Sequence, residues 1–299
     1  MLVGAREAAV PVLRIAYGPN WFIKRAILAL LALNRRHHAA AKVRYACAVF
    51  CVCWCPNMAA PRFYHPLALE SGTDIALPET LAHHALRVLR LADGSPIVLF
   101  DGRGSQYPAI LRIDGKKGYA RLDQAQSPNT ELAGRITVLQ GIASGDKMDW
   151  IIEKAVEIGV SRFVPIRARR SVLQLNAERQ AKRMAHWQRV IESASEQCGR
   201  NRLMTLADPV SLAEYARQPQ DGLHLFCDPD AERTLAQALT PQHQDIVILI
   251  GPEGGWAPEE QDAAQQLQAQ AIRFGRRVLR TETAALALSS AISALQGWE

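Results

Sequence analysis

Outside its first fifth, this chain of 299 residues is poor in cysteine, and it has no apolar run of the roughly 20 residues that cross a bilayer. Only Cys198 and Cys227 follow residue 57. That scarcity argues against a disulfide framework and favours a reducing compartment, so we expect a cytoplasmic protein without membrane association. The cysteines of residues 1–57 lack the paired spacing and trailing histidine of common zinc sites, so we expect no metal.

Acidic residues are nearly missing from the same N-terminal segment, residues 1–57. The segment carries eight Lys or Arg and the single acid Glu7, which leaves 27 basic and 28 acidic residues in the rest of a chain whose net charge is +6. Any nucleic-acid surface on the rest must therefore be a local patch. Ordinary globular patterning begins after Met58, so we expect residues 1–57 to be upstream sequence from a mis-annotated start, or disordered. An organelle transit peptide is the alternative for this composition.

Two folding units are predicted after Met58. In residues 58–127, Asp-Gly turns between β-rich runs predict hairpins. One helix is predicted near Pro78–Leu91, with Ala85 and Val88 on its apolar face. Together these elements indicate a small barrel-like module. In residues 130–299, strands alternate with helices, which predicts an α/β domain with a mostly parallel sheet covered on both faces. In such sheets ligands bind beyond the carboxyl ends of the strands.

Two glycine-bearing corners join strands to helices in the second unit. The first is GPEGG at Gly251–Gly255, and the second is GRRVLRTETAAL at Gly275–Leu286. The phosphate-loop pattern G-x4-G-K-[ST] and the dinucleotide pattern G-x-G-x-x-G are both absent. Each corner alone can be a tight turn, with Thr281 or Thr283 capping the last helix. Together, their backbone groups can hold an adenine and a ribose without a metal or a phosphate subsite.

These two corners resemble the SPOUT methyltransferases of the RsmE family, which methylate N3 of uridine 1498 in bacterial 16S ribosomal RNA. The blocks KMDWIIEKAVEIGVSRFVP (Lys147–Pro165), SASEQCGR (Ser193–Arg200) and PRFYH (Pro61–His65) are also similar to the family. Phe274 departs mildly from an expected leucine. The resemblance covers residues 58–299 and implies a PUA-like β-barrel followed by a SPOUT-type α/β domain with a C-terminal trefoil knot. It further implies S-adenosylmethionine as cofactor, 16S rRNA in the small ribosomal subunit as substrate, and a homodimer.

The resemblance and the chemistry also assign site residues. Uracil N3 carries a proton, so a base must accept it or a cation must stabilise the anion. We expect Glu282 to be the base and Arg200 the cation; helix-start electrostatics and an ordinary phosphate or surface contact are the alternatives. The family's cofactor contacts, carried over by position, are Gly251, Pro252, Gly254, Gly255, Gly275, Val278, Leu279, Thr283 and Ala284.

A basic stretch between Arg162 and Arg202 carries a net charge of +7. Such charges usually form a solvated helix face, but several here follow a strand at the predicted ligand edge. We therefore expect phosphate contacts by Arg167, Arg169, Arg170 and Arg200, with Arg62 of the barrel as a second contact.

Two other functions remain open from the sequence alone. One is a related SPOUT methyltransferase that modifies another rRNA or tRNA base. The other is a non-catalytic RNA-binding protein of ribosome assembly, which would not bind S-adenosylmethionine.

Overall fold

The computed structural model describes residues 60–115, 117–171, 177–219 and 221–298. The expectations for residues 1–57 fall outside these ranges. Within them, no helix combines the length and the apolar character needed to cross a bilayer.

The first unit is a five-stranded sheet packed around its own apolar core. The strand order is β1-β3-β4-β5-β2, and all neighbours are antiparallel except β1 and β3. Both predicted hairpins are confirmed, because β3 pairs with β4 and β4 pairs with β5. The strands are β1 (Arg62–Tyr64), β2 (Asp74–Ala76), β3 (Pro96–Phe100), β4 (Gln106–Asp114) and β5 (Lys117–Leu122).

The helix of this unit is shorter and less regular than predicted. Helix α1 spans Glu79–His83 and continues as a π-helical turn over His84–Val88. The wider turn rotates the apolar face, so Ala85 is fully buried whereas Val88 is 60% exposed. The expectation that Val88 shares the buried face was therefore wrong.

The second unit is a six-stranded parallel sheet with helices on both faces, as predicted. Its order is β11-β9-β10-β6-β7-β8. The strands are β6 (Arg135–Gly141), β7 (Arg162–Ile166), β8 (Thr205–Leu206), β9 (Leu223–Cys227), β10 (Asp245–Ile250) and β11 (Gln270–Ile272). The helices are α2 (Lys147–Ile158), α3 (Ala177–Cys198), α4 (Leu212–Ala216), α5 (Leu235–Ala238), α6 (Pro258–Gln266) and α7 (Thr281–Gln296).

Strand β10 illustrates how the sheet is buried on both faces. Ile246, Ile248 and Ile250 point into one core with α2 and α7, while Val247 and Leu249 point into a second core on the opposite face. Fully burying such a side chain stabilises the fold by about 1.5–3 kcal/mol. A strand of continuous apolar residues is the expected consequence of burial on both faces.

The final helix returns from the edge of the sheet to its centre. Helix α7 follows edge strand β11, yet it packs against α2, β6 and β10. A knotted C-terminal segment would follow such a course, and the trefoil knot itself stays a prediction.

Candidate active site

The two glycine corners lie next to each other. Strands β9 and β10 are neighbours, as are β9 and β11, so their carboxyl ends share one edge of the sheet. The hydroxyl of Thr281 in the second corner donates to the carbonyl of Gly251 in the first at 2.6 Å. Thr281 in turn accepts a hydrogen bond of 2.8 Å from Nε2 of Gln140, which is fully buried in β6. One hydroxyl therefore joins both corners to the central strand.

A close approach of two backbones fixes the first corner. A Cβ on Gly141, the last residue of β6, would lie 2.5 Å from the backbone nitrogen of Pro252. No real Cβ tolerates such a contact, so glycine is required there. At the second corner Gly275 has a φ of +75°, a left-handed conformation that also favours glycine.

Between the corners lies a cavity of about 720 Å³. Its walls come from the ends of β9, β10 and β11 and from the start of α7, the position where parallel sheets bind ligands. Seven of the nine predicted cofactor residues line it: Gly251, Pro252, Gly255, Gly275, Val278, Leu279 and Ala284.

The other two predicted cofactor residues are not part of the cavity wall. The carbonyl of Gly254 accepts a hydrogen bond of 3.3 Å from Nη1 of Arg170, outside the cavity. Thr283 is exposed on the first turn of α7. Their assignment as cofactor contacts stays a prediction.

The cavity also has walls that the sequence did not indicate. Asp228, Pro229 and Asp230 follow β9, and Lys147 begins α2. The DPD sequence follows a predicted strand, which was a usable signal. It could not be placed beside the glycine corners, because strand order cannot be read from the chain.

A charged network spans the cavity floor. Nζ of Lys147 lies 2.8 Å from Oε1 of Glu253 in the first corner and 3.9 Å from Oε2 of Glu282 in the second. Ser144 donates to Glu253 through its backbone N–H and its hydroxyl. Burial alone would raise the pKa of Glu253, but the hydrogen bonds from Lys147 and Ser144 outweigh it and hold that pKa at about 2. Glu253 therefore stays ionised near neutral pH.

Glu282 differs from Glu253 in having an unsatisfied oxygen. Its Oε2 is buried and has no hydrogen-bond partner, and Nε1 of Trp256 on the cavity wall is equally unpaired. Buried polar atoms rarely remain unpaired unless a ligand or water completes them. The size of the cavity, its apolar walls and these two atoms fit a ligand such as S-adenosylmethionine.

Arg200 is not part of this site, contrary to expectation. Its side chain is 5% exposed and pairs with the carboxylate of Glu131. Nη1 also donates to the carbonyls of Val156 and Val160, each at 3.0 Å. Because the guanidinium is buried and bonded on several sides, its contacts favour a structural role, and the catalytic and phosphate-binding roles stay predictions.

Arg62 likewise joins the two units instead of facing solvent. Its guanidinium donates to Gln106 of the barrel at 2.7 Å and to the side chain of Asn201, and it lies 5.2 Å from the ring centroid of Phe100. Burial lowers the pKa of this group. Backbone hydrogen bonds of 3.0 Å from Gly104 to Asn201 and from Leu203 to Gly102 continue the junction. The predicted RNA contact by Arg62 is thus at odds with its surroundings.

The three remaining predicted RNA contacts lie on the surface but have partners within the protein. Arg167 pairs with Glu214 at 2.8 Å, and Arg169 pairs with Glu259 at 2.9 Å. The side chain of Arg169 is 73% exposed, so its pairing is weak and easily exchanged. Their role in RNA binding stays a prediction.

Comparison with known proteins identifies the class. Residues 130–293 match the model of an RNA methyltransferase domain, and residues 77–123 match the model of an RNA methyltransferase PUA domain. The first match alone covers more than half of the chain. Within the described residues no group of three metal-ligating side chains occurs.

The relatives identify the particular family. A Bacillus subtilis protein named Ribosomal RNA small subunit methyltransferase E is 28% identical over 234 residues, covering 75% of this chain and 91% of that protein. The structure of a protein of the same name from Neisseria gonorrhoeae, bound to S-adenosyl methionine, is 35% identical with a TM-score of 0.73, covering 79% of this chain and 98% of that one. The structure of Lpg2936 from Legionella pneumophila, with SAM bound, is 32% identical with a TM-score of 0.75, covering 80% and 98%. The chain belongs to the ribosomal RNA small subunit methyltransferase E family, which confirms the resemblance.

The first prediction concerns the hydroxyl that joins the corners. Thr281→Val removes the hydrogen bond that Thr281 accepts from Gln140 and the one that it donates to the Gly251 carbonyl, with little change in side-chain size. It should lower the free energy of unfolding by about 1–3 kcal/mol. Urea unfolding measures this cost, and calorimetry should show weaker S-adenosylmethionine binding. Thr281→Ser keeps the hydroxyl and is the control. If the valine and serine variants behave alike, the hydroxyl does not hold the corners.

The second prediction concerns the buried arginine. Arg200→Ala leaves Glu131 and two carbonyls without their partner, and should lower the free energy of unfolding by about 3–5 kcal/mol. Glu131→Ala should cost a similar amount, and the double variant should cost less than the sum of the two. An alanine variant that is as stable as the wild type but inactive would restore the catalytic assignment.

Proposed function

We propose that this protein transfers a methyl group from S-adenosylmethionine to N3 of uridine 1498 of 16S rRNA in the small ribosomal subunit. The observation that carries the proposal is the cavity between two glycine corners that one hydroxyl holds together. Membership of the ribosomal RNA small subunit methyltransferase E family supports the RNA substrate, and the S-adenosyl methionine in the Neisseria gonorrhoeae relative supports the cofactor.

The cofactor supplies a methyl group on a sulfonium, and the chain supplies its alignment with the target base. Gly251, Pro252, Gly255 and Gly275 would offer backbone groups, while Leu279 and the other apolar lining residues would offer apolar contact. Fixed alignment of the reacting groups provides much of the acceleration in such transfers. The target base must leave its stack to reach the cavity.

Glu282 is the proposed proton acceptor for uracil N3. Glu282 lines the cavity and its buried Oε2 has no hydrogen bond, so a proton can be accepted there without breaking an existing hydrogen bond. Lys147 and Arg280 each place a nitrogen 3.9 Å from a Glu282 oxygen. These cations, rather than Arg200, are positioned to stabilise negative charge on the uracil oxygens.

A homodimer in the cytoplasm belongs to the same proposal. Large apolar side chains are exposed on the second unit: Val278 is 78% exposed, Leu295 56% and Trp150 39%. Contiguous exposed apolar surface is typical of interaction sites, and the proposal places these side chains in the subunit interface. Light scattering of the purified protein would give twice the mass of the chain, and a monomer would contradict this part.

The substrate assignment is tested directly by mapping the product. Purified protein is incubated with labelled S-adenosylmethionine and small ribosomal subunits that lack the modification, and the labelled nucleotide is located. The proposal expects 3-methyluridine at position 1498. Label on another base would favour a related methyltransferase, and a protein that binds subunits without binding the cofactor would favour a ribosome-assembly role.

The third prediction concerns the proton acceptor. Glu282→Gln keeps the shape of the side chain but removes its basicity, so single-turnover methyl transfer should slow by about 10²–10⁴-fold while S-adenosylmethionine affinity persists. Glu253→Gln is the matched control, because it alters the other carboxylate on Lys147. Equal loss in both variants would assign Glu282 to the charge network alone.

A further inference from the structure

The second corner carries two arginines that the functional assignment leaves unused. Arg276 and Arg277 lie in the loop between β11 and α7, line the cavity and are exposed to solvent. Within the described ranges, neither guanidinium has a hydrogen bond or an ion pair with another protein group. They differ in this respect from most arginines discussed above.

The surface of Arg167, Arg169 and Arg170, which the sequence predicts as an RNA contact, carries acidic partners for most of its positive charge. Arg167 and Arg169 pair with Glu214 and Glu259, and the backbone N–H of Arg169 donates to Glu260. Three carboxylates thus lie among the three arginines of residues 167–170, which leaves that edge nearly neutral. An anionic ligand would have to displace these carboxylates there, whereas at Arg276 and Arg277 it would not.

We propose that Arg276 and Arg277 bind phosphates of the single-stranded RNA that flanks the target nucleotide. Guanidinium groups bind phosphate through paired N–H donors, and two of them at the edge of the cavity would position the backbone on either side of a base inside it. This inference rests on the proposed function, which supplies the RNA. It adds the residues that position that RNA at the cavity.

The acids of the cavity do not cancel these two charges. Glu253 is bonded to Lys147 and Ser144, and Glu282 lies between Lys147 and Arg280. Asp228 accepts a hydrogen bond of 2.9 Å from the backbone N–H of Asp230. Among the described residues, no ion pair joins an acid of the cavity to Arg276 or Arg277.

The test compares two double variants of the full chain. Binding of a fluorescent short oligouridine is measured over a range of salt concentrations for the wild type, for Arg276→Ala with Arg277→Ala, and for a control. The control is Arg121→Ala with Arg135→Ala, because these two exposed arginines pair with Asp74 and Asp245 and do not line the cavity. Both variants lose the same formal charge, so a general charge effect would weaken them equally. Calorimetry with S-adenosylmethionine and light scattering are run on each.

The proposal expects a specific loss in the first variant. Loss of two phosphate contacts should reduce the slope of log affinity against log salt by about 1.4, or about 25-fold in affinity at 0.1 M salt, with cofactor affinity and mass unchanged. The control should keep the wild-type slope. Any of four results would overturn the proposal: an unchanged slope in the first variant, equal loss in both variants, a parallel loss of cofactor affinity, or dissociation of an oligomer.

The same measurements separate this proposal from the proposed function. If the wild type binds oligouridine through these arginines but neither binds S-adenosylmethionine nor transfers methyl, the proposed function fails and the phosphate contact stands. If the wild type methylates small subunits and the first variant binds RNA normally, the phosphate contact fails alone.

Discussion

The site depends on the hydroxyl of Thr281. It accepts from Gln140 of the central strand and donates to Gly251, so one side chain holds together three segments that are far apart in sequence. Gly141 allows Pro252 to approach β6 closely enough for this arrangement. The cavity between the corners is lined by backbone groups of both corners, by apolar side chains and by a charged network that includes Lys147, Glu253 and Glu282. Such a site suits a nucleoside-bearing ligand and needs no metal or phosphate loop.

The arginines discussed here, all within the described residues, have three kinds of surroundings, and sequence alone does not distinguish them. Arg62 and Arg200 are enclosed at internal junctions, where they satisfy carbonyls and a carboxylate. Arg167 and Arg169 are exposed but paired. Arg276 and Arg277 are exposed beside the cavity. A net charge counted along the chain therefore overstates the anion-binding power of the stretch from Arg162 to Arg202, because partners distant in sequence neutralise part of it.

Much of the fold was predictable, because strands and helices with strong hydrophobic patterns can be identified from the sequence without knowledge of their partners. Strand Arg162–Ile166 and helix Lys147–Ile158 belong to the alternation predicted for residues 130–299, and the helix ends at Gly159, which has a φ of +94°. The predictions failed where a feature depends on residues distant in sequence or has irregular geometry. Strand β1 is defined by its pairing with β3 across the chain, and the π-helical turn at His84–Val88 follows no simple periodicity. The two glycine corners were found, but Asp228–Asp230 was missed because neighbouring strands cannot be ordered from sequence.

A crystal structure of the full chain with S-adenosylmethionine would show directly whether both glycine corners bind the adenosyl group. We expect density for the adenosyl group between Gly251–Trp256 and Gly275–Thr281, with the Thr281 hydroxyl still bonded to the carbonyl of Gly251. Cofactor density elsewhere on the molecule, or corners that separate when the cofactor binds, would contradict it.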